Sequence, residues 1–131
     1  MTKIAYNACY GGFALSNKGI MRYAEIKGFK LYAFNRDGVA LTNAEAEVTD
    51  DYLVHYYTTS DQNKDDYFSA YDLSRTDPAL VQTIEELGDE ASGPCSNLQI
   101  VDIPKGTSYR IDEYDGNESV MTQDNYNWDV A

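Results

Sequence analysis

Residues 77–103 read DPALVQTIEELGDEASGPCSNLQIVDI. Two periods follow one another in this stretch. Asp77 before Pro78 is a helix start: a side-chain acceptor at the N-cap, then proline at the first helical position, where its missing N–H costs nothing. Leu80, Ile84, Leu87 and Ala91 recur at helical spacing and form one apolar stripe. Glu85, Glu86, Asp89 and Glu90 make the opposite side acidic. Ser92-Gly93-Pro94 stops the helix. Leu98 to Ile103 then alternates, Leu98 and Ile100 against Gln99, Val101 and Ile103, and reads as a strand. A helix that hands over to a strand in a short chain points to a mixed α and β architecture.

Working outward, Lys3 to Tyr10 reads as a strand with Ile4, Tyr6 and Ala8 on one face. Gly11-Gly12 breaks it. Ser16 is the N-cap of a helix whose Ile20, Tyr23, Ala24 and Lys27 have helical spacing, and Gly28 is placed to end it. Phe29 to Asn35 alternates and predicts a strand, followed by a turn at Arg36-Asp37-Gly38. Val39 to Val48 allows a short helix without settling one. Tyr52 to Thr59 is rich in β-formers. Ser60 to Asp66 is a polar loop, and Tyr67 to Tyr71 is a short strand or part of that excursion. Pro104-Lys105-Gly106 is a turn, and Ser108 to Tyr114 is expected to pair with Leu98 to Ile103 as a hairpin. Asp115-Gly116-Asn117 turns the chain again, and Glu118 to Thr122 adds a short strand. Together these predict a single α+β (or small α/β) domain over residues 1–122, a mixed sheet with about two helices packed on it. Residues 123–131 follow as a loosely held tail containing Trp128.

The 131 residues suit one domain, and a 43% hydrophobic fraction is enough for one core. The net charge of −12 disfavours direct nucleic-acid binding and anionic membranes. The charge is uneven: residues 1–36 carry +5, with Glu25 their only acid, and residues 37–131 carry −17. This predicts a mildly basic face on an acidic body. Twelve tyrosines favour a partner surface, because Tyr offers a large apolar body with a polar tip. The start, Met1-Thr2-Lys3-Ile4, does not read as a signal peptide, and no apolar run approaches a membrane span. A cytoplasmic protein with reduced Cys9 and Cys95 is therefore expected.

The segment Asn7 to Ser16 is the first site candidate. A strand, two glycines and a helix start can hold an anion on free N–H groups, with Lys18 and Arg22 suited to a phosphate. Asn7, Cys9, Gly11, Gly12, Ser16, Lys18 and Arg22 would then bind a phosphorylated small molecule. Gly11-Gly12 also suits a plain tight turn, and the pattern is no known nucleotide fingerprint. Cys9, near a helix start, is a weak candidate nucleophile with His55 as its base. One His and two distant Cys make no metal set, and no cofactor is expected. Asp50, Asp51, Asp65, Asp66 and Tyr67 form the candidate partner surface. Arg75 suits an ion pair with an acid, or a ligand contact.

The segment Ile4-Ala5-Tyr6-Asn7-Ala8-Cys9-Tyr10-Gly11-Gly12-Phe13-Ala14-Leu15-Ser16 resembles a family of small, mostly uncharacterised proteins of tailed bacteriophages. These open with a strand, an Asn-x-Cys-Tyr-Gly-Gly-Phe segment, Leu-Ser and a helix like Arg22-Tyr23-Ala24-Glu25-Ile26-Lys27-Gly28. The likeness returns over residues 75–82, 85–88, 98–104 and 111–116, and leaves 38–72 unmatched. The resemblance implies a source and not a mechanism: an accessory protein in the host bacterial cytoplasm, acting on host enzymes or in anti-defence. The leading expectation is thus a non-enzymatic protein that presents to a host protein an acidic, Tyr-rich surface suited to a basic partner. The alternatives are a pocket for a phosphorylated molecule and a Cys9-dependent enzyme.

Overall fold

The computed structural model describes residues 2–49 and 53–122. The first strand, β1 (Thr2–Asn7), pairs antiparallel with β5 (Leu98–Ile103), from Thr2 opposite Ile103 to Asn7 opposite Leu98. Ile4 and Ala5 point to opposite faces of β1 and both are fully buried. A strand buried on both faces is a sandwiched one, and β1 touches the helix α3 (Pro78–Leu87) and the strand β7 (Asn117–Thr122).

Helix α1 (Asn17–Lys27) forms between its expected caps. Ser16 Oγ accepts the Gly19 N–H at 3.0 Å, and Gly28 sits at φ 83°. The N–H groups of Gly28 and Phe29 both return to the Ala24 carbonyl. Phe29 then packs edge-on against Tyr23 at 6.1 Å. Phe29 therefore belongs to the helix end, and the expected strand over residues 29–35 shortens to β2 (Tyr32–Phe34). Gly19 also has a reason to be small: a Cβ there would stand 3.1 Å from the Ala91 carbonyl.

The undecided run after Gly38 divides in two. Ala40–Leu41 is β3, and Asn43–Val48 is the short helix α2. Thr42 Oγ1 accepts the Glu45 N–H while Glu45 accepts the Thr42 N–H, a reciprocal capping box. Strand β4 (His55–Tyr57) pairs with the other edge of β2, so the order is β3-β2-β4. Tyr67 bridges to Tyr57, and Ala70–Asp72 forms a single 3-10 turn.

The expected hairpin between residues 98–103 and 108–114 is replaced by a different pairing. Strand β6 (Tyr109–Tyr114) pairs with β7, and β5 goes to β1. Asp115 and Gly116 both have positive φ, 52° and 87°, so two residues suffice to bring Asn117 opposite Tyr114. The class is α+β, as read from the sequence. Among the described residues, seven strands form three small antiparallel sheets, and a third helix joins the two expected.

The main core gathers Ala5, Phe13, Leu15, Tyr23, Leu80, Ile84 and Leu98 between β1, α1 and α3. A second cluster of Ala33, Ala46, Val54 and Tyr56 lies under the three-stranded sheet. Ile20 and Phe68 pack against both. Asn17, almost fully buried, donates to the carbonyls of Ala46 and Thr49 and accepts from the Tyr56 hydroxyl. It ties α1 to α2 and β4.

The expected basic face does not form. Lys3 pairs with Glu85, Lys18 with Glu90, Arg22 with Glu86, and Lys27 with Asp77. Four of the six basic residues of the first third are thus turned onto acids of α3, its N-cap and the 3-10 turn Gly88–Ala91 that follows it, while Lys30 lies over the Tyr32 ring. The exposed pairs among them hold the fold only weakly, because water screens them. Among the described residues, no helix is long and apolar enough to cross a membrane.

Candidate functional site

Asn7 ends β1 with its side chain fully buried. Its Nδ2 donates to the carbonyls of Cys9 (2.7 Å) and Gly116 (2.8 Å), and its Oδ1 accepts the Asn97 N–H at 2.8 Å. Its own N–H goes to Glu118 Oε1. Every polar atom of the side chain is thus spent on holding three chain segments together.

The glycines serve the same junction. A Cβ on Gly11 would stand 2.6 Å from the Cys95 carbonyl oxygen, and one on Gly116 would stand 2.6 Å from Gly11 N. Ser96 Oγ donates to the Gly12 carbonyl at 2.7 Å. The backbone does approach closely here, but it approaches its own chain. Gly11 and Gly12 line a cleft of about 500 Å³ together with Tyr10, Glu113, Asp115 and Gly116. Two carboxylates at its wall oppose an anion.

Lys18 and Arg22 lie elsewhere, on a cleft of about 790 Å³ shared with Phe29, Lys30 and Tyr56. Both are engaged: Lys18 with Glu90, and Arg22 through two nitrogens with Glu86 and a third with Glu25. Arg22 and Gln82 together hold the Glu86 carboxyl down at about 2. Ser16 Oγ is occupied by Gly19 and the Glu90 carbonyl. The expected phosphate cradle is therefore split between two clefts, with Lys18 paired to Glu90 and Arg22 to Glu86 and Glu25.

Cys9 and His55 are not brought together either. The Cys9 thiol donates to the Tyr10 carbonyl at 3.5 Å, at the end of β1. The His55 ring rests on Tyr67 in the three-stranded sheet. No hydrogen bond joins the two among the described residues. No group of three or more His, Cys, Asp or Glu suited to a metal ion occurs among them.

Of the expected partner surface, Asp50 and Asp51 lie outside the described residues, as does Trp128. Asp65, Asp66 and Tyr67 do sit together. Tyr67 is half-exposed and meets Tyr57 edge-on at 5.4 Å, and Asp66 Oδ2 accepts from the Thr59 hydroxyl.

A denser concentration of the same chemistry surrounds the tip of the β6–β7 hairpin. Tyr10 and Tyr71 are each 58% exposed and Tyr114 77%. Tyr10 and Tyr114 stand edge to face, 6.4 Å apart. Glu113 and Asp115 are exposed between them, with no ion pair among the described residues. Glu113 also lines a second, adjoining cleft of about 260 Å³ with Tyr71, Arg75, Ile111 and Glu118.

Below this surface lies the pair that the sequence left open. Arg75 finds its acid in Glu118: one nitrogen bonds Oε1 and the other Oε2, the latter at 2.9 Å. Their side chains are only 12% and 4% exposed. The guanidinium lies 3.8 Å above the centre of the Phe13 ring and 5.7 Å from that of Tyr71. Glu118 stands 43 residues from Arg75 in the chain, so no local spacing rule connects them. Asn7 belonged to the segment singled out from the sequence, but as a ligand contact and not as the hub it is.

Comparison of the chain with protein-family models, with curated proteins and with solved structures gave no match.

Proposed function

We propose that this chain is a non-enzymatic binding protein that engages a protein partner through its acidic, tyrosine-rich surface. The observation that carries the reading is the hairpin corner, where Tyr10, Tyr71 and Tyr114 stand exposed around Glu113 and Asp115. Tyrosine supplies contact area at low entropic cost, which is why it is enriched where proteins bind. The corner is assembled from three segments locked by Asn7 and by Arg75–Glu118, so it is pre-organised. The Asp65, Asp66 and Tyr67 patch extends the same chemistry on the three-stranded sheet. The resemblance to small tailed-phage proteins makes the partner a host factor, with modulation of host defence as one form of that role, in the bacterial cytoplasm.

The test is affinity capture from bacterial lysate with the wild-type chain and with a Tyr10→Ser/Tyr114→Ser variant. Both side chains are exposed, so the variant should keep the wild-type melting curve. A protein held by the wild type, released by salt and absent from the variant is the expected result. Identical captures by both chains would refute the corner as the binding surface.

A further inference from the structure

We infer that the hairpin corner receives an arginine side chain of its partner, a reading that rests on the corner being a docking surface. The argument starts from strand register. β6 and β7 place Glu113 directly opposite Glu118. Like charges in that relation destabilise a sheet unless a cation lies between them. Arg75 faces Glu118 with two of its nitrogens, and no ion pair joins it to Glu113 among the described residues. Glu113 remains without a cation, and Asp115 lies on the wall of the neighbouring cleft. The fold thus keeps two exposed carboxylates beside a third that is already neutralised.

The aromatic groups favour arginine over other cations. A guanidinium is planar, forks onto a carboxylate and stacks on a ring, whereas an ammonium is a compact and strongly hydrated point charge. One layer down, the chain shows the arrangement complete: Arg75 between Phe13, Tyr71 and Glu118. At the surface, Tyr10, Tyr114, Glu113 and Asp115 repeat the same ingredients without the arginine. Charge complementarity points the same way, since a chain of net −12 favours a basic partner.

The test is an amide-resolved NMR titration of the full chain with acetyl-Gly-Ser-Arg-Gly-Arg-Ser-amide. Matched peptides carry lysine or the neutral isostere citrulline in place of arginine. The arginine peptide should give saturable shifts centred on Tyr10, Gly11 and Glu113 to Gly116. The lysine peptide should bind more weakly and the citrulline peptide not at all. Glu113→Gln with Asp115→Asn should weaken the arginine peptide by about tenfold or more. The same variant should melt no lower than the wild type, because it relieves the Glu113–Glu118 repulsion. Shifts spread evenly over the acidic surface and equal for arginine and lysine would overturn the inference, as would no saturable shift. If those results came while Tyr10→Ser/Tyr114→Ser still abolished capture of a protein, arginine recognition alone would fail. If capture were also unaffected, the docking surface itself would fail.

Discussion

Replacing Glu118 by Gln tests the junction beneath the corner most directly. The change keeps the side-chain volume and an acceptor for the Asn7 N–H, and removes one charge. Arg75, 12% exposed and stacked on Phe13, is then left without its counter-charge. Breaking a buried pair from one side costs about 3–5 kcal/mol, because the stranded charge stays desolvated. For a chain of this size that is a fall in melting temperature of about 10–20 °C. Urea unfolding followed by circular dichroism, with thermal melts beside it, would measure both. Arg75→Met combined with Glu118→Gln removes the stranded charge as well and should recover most of the loss. A Glu118→Gln chain within about 1 kcal/mol of the wild type would refute the reasoning, since the pair would then act like an exposed one.

Gly116→Ala should cost about 2–4 kcal/mol, because a side chain at φ 87° is strained and its Cβ would press on Gly11 N; an unchanged urea midpoint would contradict this. Thr42→Ala should lose about 1 kcal/mol by opening the capping box, measured in the same way. Acid should destabilise the chain through three carboxyls that the fold makes more acidic: Glu45, held down by its hydrogen bonds with Thr42, Asp77 and Glu86. Burial pushes Asp77 up, but hydrogen bonds from the Tyr23 hydroxyl, the Ala79 N–H and Lys27 outweigh it and leave it lowered. Glu86 falls from 4.5 to about 2 through Arg22 and Gln82. A group whose pKa is lower when folded stabilises above its unfolded value and loses that contribution as pH falls through the folded one. Stability should therefore be level above about pH 5 and decline below it. In Glu86→Gln the lower part of that decline should flatten, and an unchanged pH profile would exclude Glu86 as a contributor.

Several elements were legible from residues within a few positions of one another. Ser16 and Gly28 bracket α1, Asp77 and Pro78 start α3, and Asp115-Gly116 turns the final hairpin. Thr42-Asn43-Ala44-Glu45 carried a capping-box signal for α2 as well, within a run whose sequence allowed a short helix without settling one. Each of these depends on hydrogen bonds spanning at most four residues, which a sequence displays directly. Strand partners have no such signature. β5 suits β1 or β6 equally by composition, and its pairing with β1 across about 90 residues is decided only in the packed chain.

Charge shows the same division. The sequence determined the totals, the uneven placement of acids and bases, and the excess of tyrosine, because these are sums over residues. Only the tertiary structure decided where those charges stand. It turned Lys3 and Arg22 onto α3 and Lys18 onto Glu90 just beyond it, joined Arg75 to Glu118, and made Asn7 a hub across 111 residues of chain. An electrostatic or hydrogen-bonding partner is set by distance in space, and sequence separation places almost no constraint on it once the chain has packed.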